Sequence, residues 1–74
     1  MPDHPQLTNR LAERRKAAGW TQGELAERVS VSRKSVNTIE NGIFIPSTVL
    51  ALKLADALDC SIHDLFALPN ERKD

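Results

Sequence analysis

Stop and start signals for helices alternate along the whole chain and divide it into five short helical segments with tight connections. Leu7, Leu11, Arg14/Arg15 and Ala18 recur at helical spacing, and Gly19 is a natural stop after them. Thr21-Gln22-Gly23-Glu24 follows as a capping box, in which the Thr21 hydroxyl caps the backbone at Glu24 and the Glu24 carboxylate reaches back. Trp20, just ahead of the box, can staple onto Leu25 and fix how the chain enters a helix that buries Leu25, Ala26 and Val29. Ser30-Val31 make a tight connection. Ser32 then caps a third helix with Val36 and Ile39 inward and Gly42 as its terminator. Pro46-Ser47 opens a fourth helix that Asp59 ends, and Ser61-Ile62-His63-Asp64 is a second capping box starting a short fifth helix through Leu65 and Phe66. Strand signals are weak, because no stretch alternates cleanly with period two. The expectation is an all-α fold, a compact five-helix bundle. Its helices lie at about 7–18, 21–29, 32–41, 47–58 and 61–67, after a short arm over 1–6 and before a frayed tail over 69–74.

Size and composition bound the rest. A chain of 74 residues holds one core, with no room for a separate ligand-sensing domain. Hydrophobic residues at 41% and charged residues at 27% match a soluble globular protein rather than a disordered tail. The single Cys60 has no internal disulfide partner, which suits a reducing cytosol and a cytoplasmic location, and it reads as a buried inert thiol. No apolar run approaches the roughly 20 residues of a membrane span, and the first residues lack the basic flank and apolar stretch of a signal peptide. His4, His63 and Cys60 lack metal-ligand spacing, and His63 reads as an exposed residue inside its capping box. Nothing resembles a nucleophile–base pair, a phosphate-cradling glycine loop or paired catalytic carboxylates. A non-enzymatic chain without cofactor, metal or small-molecule ligand is expected.

The third helix is where chemistry collects. At about 100° per residue, Val36, Ile39 and Glu40 share an inner face, and Lys34, Asn37, Thr38 and Asn41 fall outside it. Arg33 sits on the flank. Such side chains can donate to guanine O6/N7, pair with adenine edges or touch a thymine methyl. Two short helices joined by a three- to four-residue turn, the second polar outside, form the helix-turn-helix pattern. Charge is distributed to match. Residues 1–42 carry seven bases (Arg10, Arg14, Arg15, Lys16, Arg28, Arg33, Lys34) against five acids (Asp3, Glu13, Glu24, Glu27, Glu40), while the formal net charge of the whole chain is +0. The second half is therefore acidic, and the first half can turn toward phosphate.

The spread of residues Trp20-Thr21-Gln22, Glu24-Leu25-Ala26, Val29 to Arg33, Ile39-Glu40-Asn41-Gly42 and Pro46-Ser47 resembles the Cro and phage-repressor type (XRE-like) helix-turn-helix regulators. The resemblance runs from about Leu7 to Phe66. It implies the lambda-repressor-like DNA-binding fold, with the second and third helices as the reading unit, and a dimer on a palindromic site in double-stranded DNA. Carried over by position, Arg33, Lys34 and Thr38 match base-reading residues, with Asn37 beside them. Gln22, Ser35 and Asn41 match phosphate contacts. Arg15 and Glu40 match a salt bridge between the first and third helices, which agrees with the inward stripe Arg15 shares with Leu7 and Leu11.

Two departures stand out. Gly23 is unusual in the first turn of a helix, where it costs up to about 1 kcal/mol relative to Ala and allows a close backbone approach to DNA. Ile43-Phe44-Ile45 replaces a loop that often carries bases. These three pack either into the monomer core or into a dimer interface, and both readings stand. The fourth helix, Thr48 to Leu58, is apolar nearly all round, with Lys53 and Asp56 as its clear solvent positions, so a partner subunit is expected. Phe44, Leu52, Phe66 and Leu68 are the candidate interface residues. The functional expectation is a sequence-specific, dimeric transcriptional repressor. The alternatives are an antitoxin that also autoregulates and a protein-interaction module of the same fold without DNA binding.

Overall fold

The computed structural model describes residues 5–69. Along the chain come β1 (Thr8–Asn9), α1 (Leu11–Ala17), α2 (Gln22–Arg28), α3 (Arg33–Glu40), α4 (Thr48–Ala57), α5 (Ile62–Leu65) and β2 (Phe66–Ala67). Four of the helices start on a hydroxyl: Thr21, Ser32, Ser47 and Ser61 accept from the backbone N–H of Glu24, Ser35, Leu50 and Asp64. Two of these starts are reciprocal capping boxes. The Thr21 N–H donates to Glu24 at 2.8 Å and the Ser61 N–H to Asp64 at 2.9 Å.

The helix ends share a device as well. After α1, α2, α3 and α4 the chain turns back through Gly19, Ser30, Gly42 and Asp59, whose φ values are 81°, 61°, 72° and 54°. At each turn two successive N–H groups donate to helix carbonyls, as Ser30 does to Glu27 and Val31 to Ala26. This is the Schellman arrangement, and it satisfies carbonyls that a helix end leaves open.

The first helix begins later than the 7–18 span expected from spacing. Asn9 is the reason. Its Oδ1 accepts from the Leu11 N–H at 3.1 Å and its Nδ2 donates to the Ile39 carbonyl at 3.0 Å. A short amide side chain that bonds nearby backbone favours a helix start over a helix interior. The residues ahead of it form a strand instead: β1 pairs antiparallel with β2, Thr8 opposite Ala67 and Asn9 opposite Phe66. Thr8 Oγ1 also donates to the Ala67 carbonyl at 3.1 Å. The five-helix bundle thus carries a small two-stranded clasp that joins its first and last elements, and Phe66 belongs to that clasp rather than to α5. Residues 1–4 of the arm, His4 among them, and residues 70–74 of the tail lie outside the described residues.

The core is built where the inward stripes meet. Leu11, Leu25, Val36, Ile39, Leu54 and Leu65 are all but fully enclosed, and Trp20, Leu50, Leu58 and Ile62 pack around them. Phe66 is only 8% exposed and belongs to the same core. Cys60 is partly buried, and burial pushes its thiol up against the pull of Arg14. Ile43, Phe44 and Ile45 lie outside the core, with 70%, 49% and 39% of their surfaces exposed. Val49 and Leu52 of α4 are exposed beside Lys53 and Asp56. Among the described residues no helix is long and apolar enough to cross a membrane.

Candidate nucleic-acid interface

The position of α3 is fixed by what it buries. Val36, Ile39 and Glu40 face inward, which leaves Arg33, Lys34, Asn37 and Asn41 exposed on the other side of a two-turn helix. Apolar residues three and four apart make one stripe, so the polar residues between them have only the outer surface. Gln22, the first residue of α2, is held beside this surface by its hydrogen bond to Glu40. Gln22, Arg33, Lys34 and Asn37 together line an open concavity of about 310 Å³.

A buried polar chain holds the two helices in that relation. Arg15 of α1 donates to Glu40 of α3 through Nε at 2.7 Å and Nη2 at 3.2 Å, and through Nη1 to the Trp20 carbonyl at 2.8 Å. Gln22 Nε2 donates to the same Glu40 carboxylate at 2.9 Å. The hydrogen bond to Glu40 raises the proton affinity of Arg15 above its ordinary value, although burial acts against it. Glu40 therefore ties α1, α2 and α3 at a single carboxylate. Its link to Gln22 was not foreseen from the sequence, since nothing local relates residues 18 apart. Gln22 keeps one amide proton and its carbonyl oxygen for another partner.

The remaining site residues are partly occupied. The Thr38 hydroxyl donates to the Ser35 carbonyl at 3.0 Å, and the Ser35 and Ser32 hydroxyls share a hydrogen bond of 3.1 Å. Asn41 spends one amide proton on the Asn37 carbonyl at 2.9 Å. Thr38 is half-buried, although helical angle alone puts it outside. The loop after Gly42 accounts for this, because the Ile43 and Phe44 N–H groups both donate to the Thr38 carbonyl, at 2.9 and 3.2 Å. Asn9, which pins the end of α3 through Ile39, was also missed. An asparagine two residues before a helix start is the signal that could have found it.

A short helix ending in a tight turn, followed by a second helix with a polar outer face and a glycine stop, is the geometry of one known family. The family model described as helix-turn-helix matches residues 11–65. The chain is a helix-turn-helix regulator of the Cro and phage-repressor type. This helix-turn-helix protein is 38% identical over 65 residues to YgzD of Bacillus subtilis, a protein named as an HTH-type transcriptional regulator, and the match covers 88% of the chain and 98% of the relative. It is 37% identical over 60 residues to the cryptic phage CTXphi transcriptional repressor RstR of Vibrio cholerae, covering 81% of the chain and 54% of that protein. Among solved structures, the biofilm master regulator SinR in complex with DNA superposes with a TM-score of 0.69 at 33% identity, covering 73% of the chain and 87% of the SinR chain in that structure.

The four candidate interface residues of the helix-turn-helix protein do not form one group. Leu52 is 53% exposed and Leu68 is 71% exposed, with Phe44 nearby in exposure, while Phe66 is held in the core of its own chain. Val49 is an exposed apolar residue that neither the candidate set nor the loop reading included, and Ile43 and Ile45 are exposed with Phe44.

Proposed function

We propose that this regulator is a cytoplasmic, sequence-specific repressor that binds a palindromic operator as a dimer, reading the major groove of double-stranded DNA with α3. The observation that carries the reading is the concavity shared by Gln22, Arg33, Lys34 and Asn37, held in shape by the Glu40 carboxylate behind it. Arg33 and Lys34 offer donors for guanine, Asn37 for adenine, and Thr38 completes the reading face. Gln22, Ser35 and Asn41 contact phosphates and set the register of the protein on the duplex. The name of the relative RstR supports repression over activation.

Dimerisation rests on exposed apolar surface. Val49, Leu52 and Leu68 are all exposed, with Val49 and Leu52 one helical turn apart. With Arg33 and Lys34 the only bases among the proposed contact residues, one reading helix gains little from phosphate attraction, so affinity depends on two reading helices acting together. Half-sites centred one DNA turn apart, about 34–36 Å, fit a two-fold dimer. The same surface favours a second reading in which a different protein covers it, as in an antitoxin.

The test begins with selection of an operator from random DNA. Arg33→Ala and Lys34→Ala then relax base preference at defined positions, by about 1–3 kcal/mol each. Gln22→Ala weakens binding evenly over all sequences. If neither kind of change alters binding to the selected operator, the assigned face is wrong. Sedimentation of the complex counts the chains: two per operator supports the dimer, and one excludes it.

A further inference from the structure

We infer that the groove between α3 and the loop following it reads thymine through its 5-methyl group, with Ile43 and Phe44 as specificity-determining residues. The inference rests on the DNA-reading role proposed above. Gly42, at a φ of 72°, turns the chain back on α3, and the two N–H groups donated to the Thr38 carbonyl hold the loop alongside the helix. Ser32, Lys34, Ser35, Thr38, Ile43 and Phe44 then line an open groove of about 310 Å³.

The hydroxyls of this groove are largely engaged with one another or with backbone, which leaves Lys34 as its charged group. Thr38 gives its hydroxyl proton to the Ser35 carbonyl, and Ser32 and Ser35 bond each other. What the groove offers is apolar surface, since Ile43 is 70% exposed and Phe44 49% exposed. In the major groove an A·T pair presents one apolar group, the thymine methyl, and a G·C pair presents none. Lys34 decides between DNA and a protein as the occupant. It lines this groove and also the concavity shared with Gln22, Arg33 and Asn37. A protein filling the groove would cover Lys34 and close that concavity, whereas DNA docked on α3 reaches both together.

The experiment replaces each thymine of the selected operator with deoxyuridine, one position at a time, and measures binding by fluorescence anisotropy at fixed salt. Deoxyuridine removes only the methyl. For the wild-type protein, one position in each half-site should lose about fourfold in affinity, equivalent to about 0.8 kcal/mol for a buried methyl-sized group. In Ile43→Ala and Phe44→Ala the thymine-to-uracil ratio at that position should fall toward one. The ratio is taken within each variant, so a general loss of affinity or of dimer stability cancels. The inference is overturned if no uracil position weakens the wild type, or if both variants keep the full ratio. A surviving base preference that Lys34→Ala removes would then leave the proposed function standing. Enrichment of no sequence during selection would overturn both.

Discussion

Replacing Glu40 with alanine should be among the costliest changes to a polar residue in the reading unit. The carboxylate accepts from Arg15 at 2.7 and 3.2 Å and from Gln22 at 2.9 Å. Without it Arg15 retains the Trp20 carbonyl at 2.8 Å while its residue is only 9% exposed. A charge stranded in this way costs about 3–5 kcal/mol. The remaining carbonyl bond places the loss toward the lower end, about 3 kcal/mol. A domain of this length has about 4–11 kcal/mol of stability in total, so Glu40→Ala removes a large share of it. At about 4–8 °C per kcal/mol, the melting midpoint falls by roughly 12–24 °C. Urea unfolding followed by circular dichroism measures the change, with the slope m unaltered. The control is Arg15→Met combined with Glu40→Leu, which removes both charges and should return to within about 1 kcal/mol of wild type. A loss under about 1 kcal/mol for Glu40→Ala, or a double variant no more stable than the single one, would refute the reasoning. The double variant should still bind DNA less well, because Gln22 has lost its anchor.

Three further outcomes are expected. Gly23 lies in the first turn of α2, where an added Cβ meets only Thr21 Oγ1 at 3.9 Å, so Gly23→Ala should stabilise the fold by about 0.5–1 kcal/mol. If operator affinity drops in that more stable variant, the glycine serves close approach to DNA; unchanged affinity denies it that role. Asn9→Ala removes the bonds to the Leu11 N–H and the Ile39 carbonyl and should lower stability by about 1–2 kcal/mol in thermal unfolding. Asp64 is held below the usual carboxylate range, first by the Ser61 N–H that it accepts, so its ionised form stabilises the fold. That contribution is complete above the ordinary aspartate value near about 4 and is lost as pH falls through the lowered one. The difference in melting temperature between wild type and Asp64→Asn should therefore hold from neutral pH down to about 5 and close in stronger acid. A gap that ignores pH would count against the cap.

What could be read from the sequence follows the range over which each rule acts. Thr21 with Glu24 and Ser61 with Asp64 are three residues apart, and a capping box is decided within that distance. The inward side of α3 follows from helical period alone, given Val36 and Ile39. The clasp does not, because Thr8 and Ala67 are 59 residues apart and a strand of two residues has no period to detect. The same limit explains Phe66, an apolar residue after a short helix whose burial depends on that distant pairing. Ile43 to Ile45 offered no pattern either, since a loop lacks the periodicity that separates core from surface. Thr38 shows a subtler limit, for helical angle sees only the helix and not the loop that folds over it.

The clasp also changes how the connectivity of the molecule is best pictured. With Thr8 opposite Ala67, about 5 Å apart at their Cα atoms, the described part of the chain returns at Ala67 to its first strand. Topologically it is close to a ring, and the point at which that ring is cut becomes a separable variable. Bridging the two sides of the clasp with a short linker and opening the chain at the Asp59–Ser61 turn should rebuild the same core. Opening it at Ile43–Ile45 instead would leave the core in place but free the loop from Thr38, so a circular permutant can separate the folding of this protein from its reading of a base.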